Sequence, residues 1–164
     1  MTVIAWIVEG TWPACVDAAS THAPDGADIV LLHVTGHDVP GAAHGAYAGL
    51  FGRGRPDRDP GTRLQQLAAT SAQQLLQAAA ERLGRPCTRL ERSGRIEREV
   101  VTVADGADLL ILARDGDRTH LGPRSLSPAT RFVVDHAPCP VLLVWPETPP
   151  AITTIPPAPP RRPD

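Results

Sequence analysis

ADGADLLILARDG, residues 104–116, decides the fold. Its centre, DLLILA (108–113), is an apolar run with no polar residue at alternate positions after Asp108. A strand with one face in water alternates; a strand covered on both faces does not. The run is too short for a buried helix, and Gly106 and Gly116 bracket it. It predicts a strand inside a parallel sheet with helices on both faces.

Working outward, similar runs recur. VIAWIVE (3–9) stops at Gly10, and DIVLLHV (28–34) ends just before Gly36. CTRLERS (87–93) alternates weakly and reads as an edge strand. PVLLVW (140–145) is held between Pro140 and Pro146. Helical segments lie between these runs. Residues 13–22 are short and weakly patterned. Residues 62–83 carry a stripe of Leu64, Leu67, Ser71, Leu75, Ala78 and Leu83, ended by Gly84 and Pro86. Residues 96–104 form a third segment. Residues 128–136 form a fourth, with Ser127 as N-cap and Pro128 at the first helical position. The alternation βαβαβαβαβ predicts an α/β fold, a three-layer open sheet.

Between residues 35 and 61, TGHDVPGAAHGAYAGLFGRGRPDRDPG is long for a connection inside a compact domain. Its glycines read first as a mobile loop and second as a lid. From Pro146 the sequence holds 8 of the chain's 18 prolines. Residues 147–164 therefore read as an extended, flexible tail after a single domain of residues 1–146. A ligand for a polyproline-binding partner is the sharper reading of the same tail.

The 164 residues suit one domain, and 42% apolar with 21% charged residues is ordinary for a globular protein. A net charge of −2 supplies no field to draw nucleic acid or an anionic membrane. No apolar run approaches the roughly 20 residues of a membrane span. There is no lysine, which excludes Schiff-base chemistry and a Walker lysine. Cys15, Cys87 and Cys139 stand far apart with no C-x-x-C pair, so a reducing cytoplasm fits better than a disulfide framework or zinc site. The N-terminus lacks the basic flank of a signal peptide.

Three stretches carry a resemblance. IVEGT (7–11), SGRIEREVVTVADGADLLILA (93–113) and above all RFVVDHAPCPVLLV (131–144) resemble segments of the universal stress proteins, over residues 2–146. The resemblance implies five parallel strands in the order 3-2-1-4-5. It also implies a homodimer through the last strand, residues 141–145, and a role in the stress response. Part of that family binds ATP and part does not.

The ATP-binding members carry G-x2-G-x9-G-[ST] between the fourth strand and the fourth helix. Glycines admit the phosphates to the backbone, and helix N-terminal amides with a hydroxyl neutralise them. Here Ala113 takes the first position and Gly116 the second. Counted back from His136, Ser127 takes the third and Pro128 the fourth, with one extra spacer residue. Pro128 offers neither amide nor hydroxyl. Two lost donors at roughly 1.5–3 kcal/mol each weaken binding by a factor on the order of 10²–10⁴. Asp115 and Asp117 repel phosphate. Arg114, Arg118, His120, Arg124 and Arg131 either compensate or pair with Asp115, Asp117 and Asp135, and the second reading is favoured. Glu9 stands where the family has Asp, and Val34 where its second strand meets adenine. If a nucleotide binds, the candidate contacts are Glu9, Gly10, Val34, Ala113, Asp115, Gly116, Ser127 and Ala129.

Other chemistry is thin. His33, His37 and His44 are too loose for a metal site. His136 reads as a C-terminal cap and Cys139 as a buried, inert thiol. No G-x-S-x-G elbow and no G-x-G-x-x-G follows a strand. No catalytic residue is expected. The leading expectation is a non-catalytic, dimeric stress protein with an unidentified protein partner and weak or absent ATP binding. An ATP-binding member with nucleotide between strands 1 and 4 comes second. A redox- or metal-responsive module comes third.

Overall fold

The computed structural model describes residues 1–36 and 60–157. Strand β1 (Thr2–Trp6) leads through helix α1 (Trp12–His22) to β2 (Asp28–Gly36). Helix α2 (Pro60–Leu83) joins β2 to β3 (Thr88–Gly94), and α3 (Ile96–Val103) joins β3 to β4 (Leu109–Ala113). Helix α4 (Pro128–His136) precedes β5 (Val141–Val144). Short 3-10 turns stand at Pro123–Ser125 and Ile152–Thr154.

The sheet is parallel throughout, in the order β3-β2-β1-β4-β5 that the resemblance implied. On β1, Val3 sits beside Ile29 on one side and Leu109 on the other. The chain therefore reverses its direction of growth between β1 and β4, the place where such sheets open a crevice.

The apolar runs divide by alternate residues between two cores. Val3, Ala5, Ile7, Leu31 and Ile111 pack with α1 and α2. Ile4, Trp6, Leu32, Leu110 and Leu112 pack with α3 and α4. Leu110, Ile111 and Leu112 are fully buried, which is why DLLILA shows no alternation. Each such side chain contributes about 1.5–3 kcal/mol of burial.

The structure departs from three of these sequence expectations. β1 ends at Trp6, so Glu9 lies in the following turn and not on the strand. The buried stripe of α2 is Ala72, Leu76, Ala79 and Leu83; Leu67 is 65% exposed and Ser71 is exposed. Small alanines at 72 and 79 let α2 lie close to the sheet; of the expected stripe Leu83 is buried, Leu75 and Ala78 are half-buried, and the side chain of Leu64 lies outside the described residues. In the tail, Ile152–Thr154 is a 3-10 turn and not extended chain. Ser127 does cap α4, with Pro128 in its first turn. His37, His44 and most of the 35–61 connection lie outside the described residues. Among the described residues no helix is long and apolar enough to cross a membrane.

Candidate functional site

Chain turns crowd the carboxyl ends of β1 and β4. After β1 the Val8 carbonyl accepts the amides of Thr11 (3.1 Å) and Trp12 (2.9 Å). That turn places Gly10 at φ 83°, a left-handed conformation that glycine adopts without strain. Glu9 stands exposed on it. Val34 is 5% exposed, and its side chain belongs to the α3/α4 core.

After β4 the backbone runs from Ala113 into a loop that closes on itself. The Gly116 amide donates to the Ser125 carbonyl at 2.9 Å, and the Asp117 amide to Arg124 at 2.8 Å. A Cβ on Gly116 would lie 2.4 Å from the Arg124 carbonyl oxygen. Gly116 is therefore required by the loop's own opposite limb, with no ligand needed to explain it.

The start of α4 is occupied from inside. One oxygen of the Asp115 carboxylate accepts the Ser127 amide at 2.9 Å. The other accepts the hydroxyls of Ser127 and Thr130, each at 2.8 Å. Ser127 Oγ in turn accepts the Thr130 amide at 3.2 Å. Thr130 is buried, and Ala129 packs on the core beside it. A carboxylate thus sits where the helix dipole favours an anion. Sequence reading treated Asp115 as a charge that repels phosphate; the structure makes it the anion itself.

Counted forward from Ala113, the pattern's own spacing falls on Leu126 and Ser127. Ser127 caps α4, so on this count the hydroxyl position is filled. That hydroxyl is nonetheless engaged by Asp115.

Hydrogen bonds, rather than the expected pairs between arginines and loop aspartates, close the loop. Asp117 accepts the Thr119 hydroxyl (2.6 Å) and amide (3.0 Å), which hold its carboxyl below the usual range. Arg114 donates to Ser125 Oγ, and its guanidinium lies 4.7 Å from the centre of the Trp145 ring. Arg118 pairs with Glu147 at 2.5 Å, just past β5. Thr154 Oγ1 accepts the Leu121 amide at 3.0 Å. The segment after β5 is therefore tied to the loop at two points.

A second opening lies at the carboxyl ends of β1 and β2, beneath α2. Glu9 reaches it, together with His33 and Thr35 of β2 and Ser71 of α2. Sequence reading passed over His33 and Thr35 as site residues. Their signal was the two-residue period of β2, which places both on the buried face that begins with Ile29 and Leu31. Of the expected contacts, Ala113 ends β4, and Asp115, Gly116, Ser127 and Ala129 belong to the loop and the start of α4. Glu9 lines the second opening instead. His136 behaves as the expected cap: its Nδ1–H donates to the Phe132 carbonyl at 2.8 Å, and its ring stacks on Phe132.

The model of the universal stress protein family matches residues 9–144. Among solved structures, a universal stress protein in complex with cAMP is 16% identical, covering 90% of this chain and 98% of its own, with a TM-score of 0.56. A universal stress protein from Lactobacillus plantarum is 18% identical, with coverage of 88% and 97% and the same TM-score of 0.56. A family protein from Arabidopsis thaliana with AMP bound is 17% identical, with coverage of 90% and 93% and a TM-score of 0.56. At these identities the three structures speak for the fold alone. No curated protein matches the chain.

Proposed function

This chain belongs to the universal stress protein family, and we propose that it is a non-catalytic, dimeric member whose phosphate loop holds its own carboxylate in place of a nucleotide. One observation carries the reading: Asp115 accepts the Ser127 amide and the Ser127 and Thr130 hydroxyls. A phosphate would have to displace a charge already hydrogen-bonded three times. Pro128 adds no amide to compensate. The expected affinity for Mg-ATP is weaker than roughly 100 µM, a free energy smaller in magnitude than about 5.5 kcal/mol. Calorimetric titration of the full chain tests this, together with the absorbance of nucleotide released from the purified protein. Low-micromolar binding or retained ATP would sink the reading. The arginines of the loop would then be the donors, and Arg118→Ala or Arg124→Ala should abolish binding.

The nucleotide-binding alternative draws on relatives solved with cAMP and AMP. It places the ligand at the switch point between β1 and β4 and requires the loop to open. The redox alternative has chemistry against it. Burial pushes the Cys15 thiol up to about 12, and desolvation raises those of Cys87 and Cys139. Protonated thiols are poor nucleophiles.

The dimer reading rests on the two sheet edges. Edge strand β3 carries Arg89, Glu91 and Arg92, which discourage pairing. Edge strand β5 is Val-Leu-Leu-Val, each residue half-buried. Two copies paired through β5 would cover it. Light scattering at tens of micromolar should give twice the mass of the chain, and a monodisperse monomer refutes the dimer. Leu143→Asp should dissociate or unfold it.

A further inference from the structure

The cleft beneath α2 has a volume of about 500 Å³. Glu9, His33 and Thr35 line it from the sheet side, and Ser71, Gln74 and Leu75 from the helix. Ala68 and Ala72 also face it, and their small side chains leave the room. None of the residues of the loop after β4 contributes.

Of its polar groups, one ring nitrogen is held by the backbone and one hydroxyl is unpaired among the described residues. His33 Nδ1 meets the Ile7 carbonyl at 2.8 Å. A carbonyl only accepts, so Nδ1 carries the proton, and in the neutral ring Nε2 is left as an acceptor. Thr35 Oγ1 is buried with no hydrogen-bond partner among the described residues. Groups of that kind are ordinarily paired with water or ligand. Among the described residues Glu9 is the one full charge in the lining, and no arginine stands there. The described lining therefore offers acceptors and one negative charge, a setting that suits a cation better than a phosphate.

We propose that this cleft binds a small organic cation of the amine or guanidine class, with Glu9 as counter-charge and His33 Nε2 and Thr35 Oγ1 as acceptors for its N–H groups. Ala72 and Leu75 would cover the methylenes of a short aliphatic chain. The proposal is independent of whether the loop after β4 admits phosphate.

The test titrates the full chain with agmatine and putrescine, followed by calorimetry and by amide chemical shifts. Xylitol serves as a neutral polyol of similar size. Saturable binding is expected for a cation, with shifts at Glu9, His33, Thr35 and Ser71. Glu9→Gln should weaken it about ten- to a hundred-fold. Thr35→Val should weaken it too, while leaving the melting temperature of the free protein unchanged or higher. The proposal is overturned by the absence of saturable cation binding, by shifts confined to another region, by equal binding of xylitol, or by Glu9→Gln without effect. Competition between Mg-ATP and agmatine would also overturn it, by making the cleft part of a nucleotide site. Mg-ATP binding that leaves agmatine affinity unchanged would refute the closed phosphate loop and support the cleft as a separate site.

Discussion

The two openings at the carboxyl end of the sheet are opposites. Beyond β4 the loop has engaged most of its donors with its own groups: the Gly116 and Asp117 amides on the opposite limb, and the Ser127 amide and hydroxyl on Asp115, while Arg114 Nε stays unpaired among the described residues. Beneath α2 the cleft keeps Thr35 Oγ1 unpaired among the described residues, and Glu9 exposed. One region holds its own anion at a helix start, and the other holds no internal partner for its buried hydroxyl among the described residues. The difference teaches that family membership alone does not say where a ligand would sit. The hydrogen-bond inventory of each opening does.

Mutations should break the closed region and spare the incomplete one. The largest effect is expected from Asp115→Ala, which strands the Ser127 amide and two hydroxyls. We expect a loss of about 3 kcal/mol and a melting temperature roughly 10 °C lower, read by thermal unfolding. Gly116→Ala comes next, at about 2 kcal/mol, because its Cβ meets backbone that cannot swing aside. Thr154→Val removes one acceptor from the Leu121 amide and should cost less than about 1 kcal/mol by urea unfolding. Thr35→Val should cost nothing or stabilise by up to about 1 kcal/mol, since it deletes an unpaired hydroxyl. A Thr35→Val loss as large as that of Asp115→Ala would erase the contrast between the two openings.

Much of the fold was legible because burial writes directly into sequence. DLLILA has no alternation because Leu110, Ile111 and Leu112 are covered on both faces. The α4 start was legible because a cap is local: Ser127 and the Thr130 amide are three residues apart. The reading failed where a partner is remote. Glu9 continues an apolar run, yet the Val8 carbonyl is taken by Thr11 and Trp12, and the strand has already ended. Asp115 looked repulsive because nothing in a sequence shows a carboxylate folding back twelve residues onto Ser127. The Ile7–His33 and Leu121–Thr154 contacts span 26 and 33 residues. No local pattern encodes such pairs. The α2 stripe is only partly legible because the leucines at 67 and 75 draw the eye, while the helix packs through Ala72, Leu76, Ala79 and Leu83.

The register of β1 bears on the order in which the chain assembles. Its pairs with β2, such as Thr2 with Asp28, lie about 26 residues apart, whereas the Thr2 amide meets Asp108 across 106. Loop-closure entropy makes the second seam costlier by about 1 kcal/mol, and synthesis from the N-terminus delays it further. A nascent chain that has paired β1 with β2 therefore carries a bare strand edge along Val3, Ile4 and Ala5, the residues that later meet Leu109, Leu110 and Ile111. What becomes the middle of the finished sheet is, during synthesis, its most exposed margin, and the point at which a crowded cell has longest to pair the chain wrongly.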